Sequence, residues 1–165
     1  MCAKLLNIMG TQPFEFADID DLYKEIILDH YRSPRNQEKL AESDLEAEGI
    51  NPFCGDEVVI QIKLVDGLVD AVSFKGTGCS ISQASASILT DAIKGKTLDE
   101  AEVLYFRFRD MVYGKSTPEN EVNQWGEVDA LAGGRRFPIR VKCALLAWST
   151  LEDAIKKHAR EVAEK

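Results

Sequence analysis

The pair Asp66-Gly67 constrains the fold of this chain more than any other short segment. It separates two runs rich in β-branched and apolar residues, 58–65 and 68–74. Asp-Gly between two such runs favours a two-residue turn, because both turn positions need a positive φ that these residue types adopt readily. The sequence therefore predicts an antiparallel hairpin, and residues 45–51 are expected to add a third strand.

Helical periodicity flanks this sheet on both sides. Thr97 and Glu100 form a capping-box pattern, and Ser80 or Ser82 is expected to cap the helix that follows the hairpin. The predicted helices span about residues 18–31, 80–94, 97–113, 128–132 and 138 to the C-terminus. Together these elements predict an α+β protein, with a three-stranded antiparallel sheet and about five helices packed on one face. We expect one domain over residues 18–165, preceded by a flexible arm at residues 1–17.

Length and charge exclude several classes of function. The chain has 165 residues and a net charge of −8, which disfavours general nucleic-acid binding. No apolar run approaches the ~20 residues that cross a bilayer, and the first ten residues do not resemble a signal peptide. We therefore expect a cytoplasmic protein. Thiols stay reduced there, so its four cysteines favour metal binding or catalysis over disulfides.

Three of the cysteines occupy different local settings. Cys54 and Cys79 lie in turns rich in Gly and Pro, and Cys143 opens the last predicted helix. Asp56 follows Cys54 by two residues. Three sulfurs and one carboxylate supply the four ligands of a tetrahedral zinc site.

The predicted fold can bring these residues together. Cys54 precedes the hairpin and Cys79 follows it, so the open ends of the two strands would place them side by side. Cys79 and Cys143 each lie at a predicted helix N-terminus, where the helix dipole is expected to lower the pKa of a thiol. The alternative is that the three thiols only pack in the core. Paired Cys-x-x-Cys hooks are absent, which favours an exchangeable site over a closed structural one.

A basic octet directly precedes Cys143. Residues 135–142 contain four cations and no acid. Arg140 and Lys142 are close enough in sequence to favour a thiolate or a bound anion at Cys143. For Arg135 and Arg136 a solvated patch explains the charge equally well.

Four segments in order carry a resemblance to a known family: residues 29–36, 51–56, 76–87 and 140–148, with the sequences DHYRSPRN, NPFCGD, GTGCSISQASAS and RVKCALLAW. Over roughly residues 18–160 the chain resembles the U-type iron–sulfur assembly proteins, the IscU/NifU N-terminal superfamily. Lys142 stands where scaffold members have His, and the polar stretch ending at Arg136 resembles the insertion of the SufU-like branch. Lysine cannot replace His as a ligand while it is protonated.

The resemblance implies a SufE/NifU-like fold and a zinc-dependent sulfurtransferase. It implies zinc on Cys54, Asp56, Cys79 and Cys143, with Cys54 as the acceptor of persulfide sulfur. Arg140 would steady the anionic sulfur or a partner. The implied partners are a SufS-like cysteine desulfurase and a downstream scaffold such as a SufBCD-like complex, with no nucleic acid and no membrane.

Two other functions remain open. One is an IscU-type scaffold that assembles a [2Fe–2S] cluster on the same residues. The other is a zinc-stabilised binding domain without sulfur chemistry, for which Cys54 should be closed to alkylating agents. His30 matches the first family segment, but we expect it to be a structural residue at a helix end.

Overall fold

Three antiparallel strands in the order β1–β2–β3 form the sheet of this computed structural model. The structure describes residues 16–115, 127–131 and 138–165. Asp66 and Gly67 have φ angles of 53° and 77°, so the predicted hairpin turn is confirmed. The strands are β1, Leu45–Ile50; β2, Glu57–Val65; and β3, Leu68–Thr77.

The helices of the described ranges surround this sheet in sequence. They are α1, Phe16–Arg32; α2, Ser80–Ile93; α3, Leu98–Val112; α4, Glu127–Ala130; and α5, Pro138–Ala163. The expected count of about five is corrected to four full helices. The fifth, α4, has only four residues, which complete little more than one turn. Within the described residues, none of the helices combines the length and apolarity needed to span a membrane.

The ends of the helices differ in part from the predictions. α1 begins at Phe16, inside the predicted arm, whose residues 1–15 lie outside the described part of the chain. The predicted capping box of α3 is confirmed, because the Glu100 N–H donates to Thr97 Oγ1 at 3.1 Å and the Thr97 N–H donates to Glu100 Oε2 at 2.9 Å.

The N-cap of α2 is Cys79, and the expected cap at Ser80 or Ser82 is wrong. Cys79 has extended backbone angles (φ −71°, ψ 166°), and Ser80 is already helical. Ser82 instead donates its hydroxyl to the Cys79 carbonyl at 3.1 Å. The side chain of the N-cap residue, Cys79, makes no capping hydrogen bond, so its thiol can contact other groups.

The two faces of the sheet differ in polarity. Ile60, Ile62 and Phe74 share one face and are fully buried, and α2 and α5 pack against the sheet. The opposite face carries polar side chains, including Gln61 and Lys75. One apolar face explains why the strands alternate in sequence.

A buried serine joins α2 to α5. Ser85 donates its hydroxyl to the Ala144 carbonyl at 2.6 Å and accepts from the Trp148 indole N–H at 3.0 Å. Ser85 and Trp148 are fully buried. Because Ala144 follows Cys143 directly and Cys79 caps α2, these bonds fix the relative position of the two helix ends that carry cysteines.

We expect Ser85→Ala to lower the free energy of unfolding by about 1–3 kcal/mol, since it leaves a buried indole N–H without its partner. Urea unfolding followed by circular dichroism measures this. Ser149→Ala is the matched control, because that half-buried hydroxyl bonds only to carbonyls of its own helix. Equal effects of the two substitutions would show that the Ser85 bonds contribute nothing specific.

Candidate metal centre

A tight turn between β1 and β2 presents Cys54. The Gly55 N–H donates to the Asn51 carbonyl at 2.8 Å, and the Asn51 N–H donates to the Asp56 carbonyl at 2.8 Å. The Asn51 side chain accepts from the Phe53 N–H at 3.1 Å. Gly55 has a φ of 73°, which glycine adopts without strain. Cys54 therefore lies exposed at the tip of a hydrogen-bonded turn.

Asp56 lies at the base of this turn and contacts the start of α2. Its Oδ1 accepts from the Cys79 N–H at 3.1 Å, and its Oδ2 lies 3.4 Å from Cys79 Sγ. An added Cβ at Gly78 would lie 2.7 Å from the carboxylate, so only glycine permits this approach. The contact joins the open end of the hairpin to the N-terminus of α2. The sequence predicted that Cys54 and Cys79 would meet there, and in the structure Asp56 contacts Cys79.

The Asp56 carboxyl group is only 4% exposed yet its pKa is lowered. Burial by itself would raise the pKa. Hydrogen bonds from the thiols of Cys54 and Cys79, and from the Cys79 N–H, outweigh burial because they favour the ionised form. The site therefore keeps a buried negative charge.

Cys143 completes the group from α5. Its Sγ lies 3.9 Å from Cys54 Sγ, and the ligand atoms of Cys54, Asp56 and Cys143 all lie within 4.8 Å of one another. The thiol of Cys143 also interacts with that of Cys79. The structure thus brings together the four residues that the sequence singled out.

The expected lowering of the Cys143 pKa by the helix N-terminus is wrong for the metal-free site. The residue is 4% exposed, and burial raises its pKa, helped by hydrogen bonds and charge repulsion from Cys79 and Cys54. Cys143 also lies in the second turn of α5, which begins at Pro138, and the dipole effect falls off within the first turn. A metal ion would have to replace the proton of this thiol.

The donor set fits zinc. Zinc takes thiolate and carboxylate ligands in a tetrahedron, and bonds of about 2.3 Å give sulfur–sulfur edges of about 3.8 Å. The Cys54–Cys143 distance of 3.9 Å matches such an edge. Cys79 is not part of the group whose ligand atoms all lie within 4.8 Å of one another, but its Sγ lies beside that group, 3.4 Å from Asp56 Oδ2.

Two cations of the basic octet lie in the described part of α5. Arg140 is exposed and precedes Cys143 by nearly one helical turn. Lys142 is exposed too, and its Nζ lies 3.6 Å from the centroid of the Phe53 ring. Sequence reasoning missed this contact, although each of its residues directly precedes a cysteine of the site. Arg135, Arg136 and the stretch 116–126 lie outside the described residues.

A second group of side chains that could hold a metal is already occupied by other contacts. His30 is fully buried, and its nitrogens contact Ser87 Oγ at 2.7 Å and Glu127 Oε2 at 2.5 Å. Asp29 is paired with Arg35 at 2.6 Å. His30 joins α1, α2 and α4, which agrees with the structural role expected from the sequence.

Comparison with known proteins gives the family. The sequence model of one protein family, the NifU-like N-terminal domain, matches residues 22–165. The chain belongs to this family. It is 42% identical over 141 residues to the zinc-dependent sulfurtransferase SufU of Bacillus subtilis, an alignment that covers 86% of this chain and 94% of that protein.

Scaffold proteins are among the relatives too. The chain is 38% identical over 144 residues to the iron–sulfur cluster assembly scaffold protein IscU of Streptococcus pyogenes, covering 87% of this chain and 88% of that one. The crystal structure of FiSufU from Fervidobacterium islandicum superposes with a TM-score of 0.74 at 35% identity, covering 81% of this chain and 96% of that one. The α+β fold with its three-stranded sheet is therefore shared with this family.

Exposure predicts the order in which the site cysteines react in metal-stripped protein. We expect iodoacetamide to modify Cys54 and Cys79 at least about tenfold faster than Cys143. Burial restricts access to the Cys143 thiol, and its raised pKa lowers the fraction present as thiolate. Peptide mass spectrometry of timed samples measures the rates, and the same reaction in denaturant is the control. Faster modification of Cys143 than of Cys54 would contradict the geometry described above.

Proposed function

We propose that this protein is a zinc-dependent sulfurtransferase of cytoplasmic iron–sulfur cluster biogenesis. In this proposal Cys54 accepts sulfur from the persulfide of a SufS-like cysteine desulfurase and passes it on to cluster assembly, for example to a SufBCD-like complex. The observation that carries the proposal is an exposed thiol, Cys54, placed among two further thiols and one carboxylate. Family membership and the SufU relative support the same conclusion.

The four site residues take different roles. Cys54, Asp56, Cys79 and Cys143 would hold zinc, and zinc when bound keeps thiols deprotonated at neutral pH. Asp56 is the harder and weaker ligand for zinc. Exchange at Asp56 would let the shell open while Cys79 and Cys143 remain ligands.

The reaction at Cys54 is a thiol–disulfide-type exchange. The Cys54 thiolate attacks the outer sulfur of the donor persulfide, R–S–SH. A bond forms between Cys54 Sγ and that sulfur, the S–S bond of the donor breaks, and the donor cysteine leaves as a thiolate. The product is Cys54–S–SH. Arg140 is exposed in the first turn of α5, the helix that carries Cys143, and is placed to steady the anionic sulfur or the partner.

Turnover of the cognate desulfurase tests the proposal. We expect zinc-loaded protein to raise turnover strongly and Cys54→Ala to abolish the increase, because the acceptor sulfur is gone. Cys2→Ala is the matched control, since it removes a thiol that is not one of the four predicted ligands and that lies outside the described residues. Asp56→Ala removes a proposed ligand but keeps the acceptor thiol of Cys54. This variant should therefore still take up part of the labelled sulfur.

The proposal would be refuted by Cys54→Ala protein that accepts labelled sulfur as well as the unaltered protein. An increase in turnover that does not depend on Cys54 would refute it too. Either result would mean that another cysteine, or another protein, accepts the sulfur.

Metal removal should destabilise the fold, because the four donors come from three separate segments of the chain. With free zinc about a thousandfold above its dissociation constant, the stabilisation is about 4 kcal/mol, or roughly 10 °C in Tm. Differential scanning calorimetry with and without chelator measures this shift. An unchanged melt in protein shown to have lost its metal would contradict a preformed site.

A scaffold function is the second candidate, favoured by the IscU relative of Streptococcus pyogenes. The same four residues could ligate a [2Fe–2S] cluster. Lys142 weighs against it, because a protonated lysine offers no lone pair to iron. Anaerobic reconstitution distinguishes the two functions, since a scaffold should turn brown and retain about two irons per chain. A zinc-stabilised binding domain with a closed site is disfavoured, because Cys54 is exposed.

A further inference from the structure

The residues directly before two of the site cysteines contact each other. Phe53 precedes Cys54 in the turn between β1 and β2, and Lys142 precedes Cys143 on α5. The Lys142 Nζ lies 3.6 Å from the centroid of the Phe53 ring, well inside the ~6 Å range of a cation–π interaction. The Phe53–Lys142 contact and the Cys54–Cys143 contact therefore join the same turn to the same helix.

Burial does little to hold the Phe53 ring in place. The side chain is 75% exposed, although phenylalanine is an apolar residue at the tip of a loop. The backbone hydrogen bonds of the turn, and the bond from the Phe53 N–H to the Asn51 side chain, close within residues 51–56, and Asp56 at its base accepts from the Cys79 N–H. Toward α5 the tip is held by the neighbouring pairs Phe53–Lys142 and Cys54–Cys143.

We propose that the Phe53–Lys142 contact is a latch that holds the Cys54 turn against α5 and sets how often Cys54 leaves its neighbours. This inference rests on the proposed function, in which Cys54 must reach a donor persulfide. Phe53 and Lys142 are positioning residues, because they act on Cys54 through the position of its turn and contact no reacting atom.

The latch gives Lys142 a role that its charge alone does not. A cation beside a thiol raises its thiolate fraction, so loss of the charge should slow modification of Cys54. Loss of a latch should speed it, since the turn leaves α5 more often. The two roles of Lys142 therefore predict opposite signs.

The test is the rate at which iodoacetamide modifies Cys54 in metal-stripped protein, in which the thiol can titrate and no metal bond holds the turn. We expect Phe53→Ala and Lys142→Ala each to raise the rate roughly two- to fivefold, the range for one exposed cation–π contact. The double variant should be no faster than the faster single variant, because both remove the same contact. Lys142→Arg should keep the original rate and Phe53→Trp should lower it, since each preserves or strengthens the interaction.

Lys157→Ala is the matched control, because it removes one exposed cation from the same helix about 20 Å along its axis from Cys143. Its rate should equal that of the unaltered protein. All variants should keep the same Tm within about 2 °C, since the two residues are exposed and surface changes alter stability little.

Three results would overturn the latch. They are a slower reaction in Lys142→Ala, additive effects in the double variant, and no rescue by Lys142→Arg. The readout is the thiol itself, so it needs neither bound metal nor a desulfurase. Failure of sulfur transfer with an intact latch, or loss of the latch with intact transfer, would therefore be recognised separately.

Discussion

The site depends on the alignment of two helix ends with the open end of one hairpin. α2 follows β3 directly, and α5 packs on β1 and β2. The Ser85 bonds to Ala144 and Trp148 fix the two helices relative to each other. Because the alignment is set by core packing, the candidate ligand atoms lie close together without a metal. A site on such rigid elements is more accurately placed than one built from loops alone.

The four candidate ligands differ in burial and in hardness, and this difference would suit an exchangeable site. Cys143 and Asp56 are buried, Asp56 being the harder ligand, whereas Cys54 and Cys79 are exposed. A structural zinc site would instead be closed on all sides. Two of the four residues therefore lie in the core, and two thiols lie at the surface.

Local sequence signals predicted the local structure well. Asp66-Gly67 identified the hairpin, Thr97 with Glu100 identified a capping box, and the turns rich in Gly and Pro singled out Cys54 and Cys79, whose thiols the structure places beside Asp56. Contacts between distant segments were not predictable in the same way. The Phe53–Lys142 contact joins residues 53 and 142, and it depends on the rotation of α5 about its axis. The raised pKa of Cys143 depends on burial, which one helix position does not reveal.

X-ray absorption at the zinc edge tests the central claim most directly, that three thiols and one carboxylate form a single metal shell. The account predicts three sulfur neighbours at about 2.3 Å and one oxygen at about 2.0–2.2 Å. Asp56→Cys should convert this shell to four sulfurs if the carboxylate position is a ligand position. Two or fewer sulfurs in the unaltered protein, or zinc bound through nitrogen, would contradict the account.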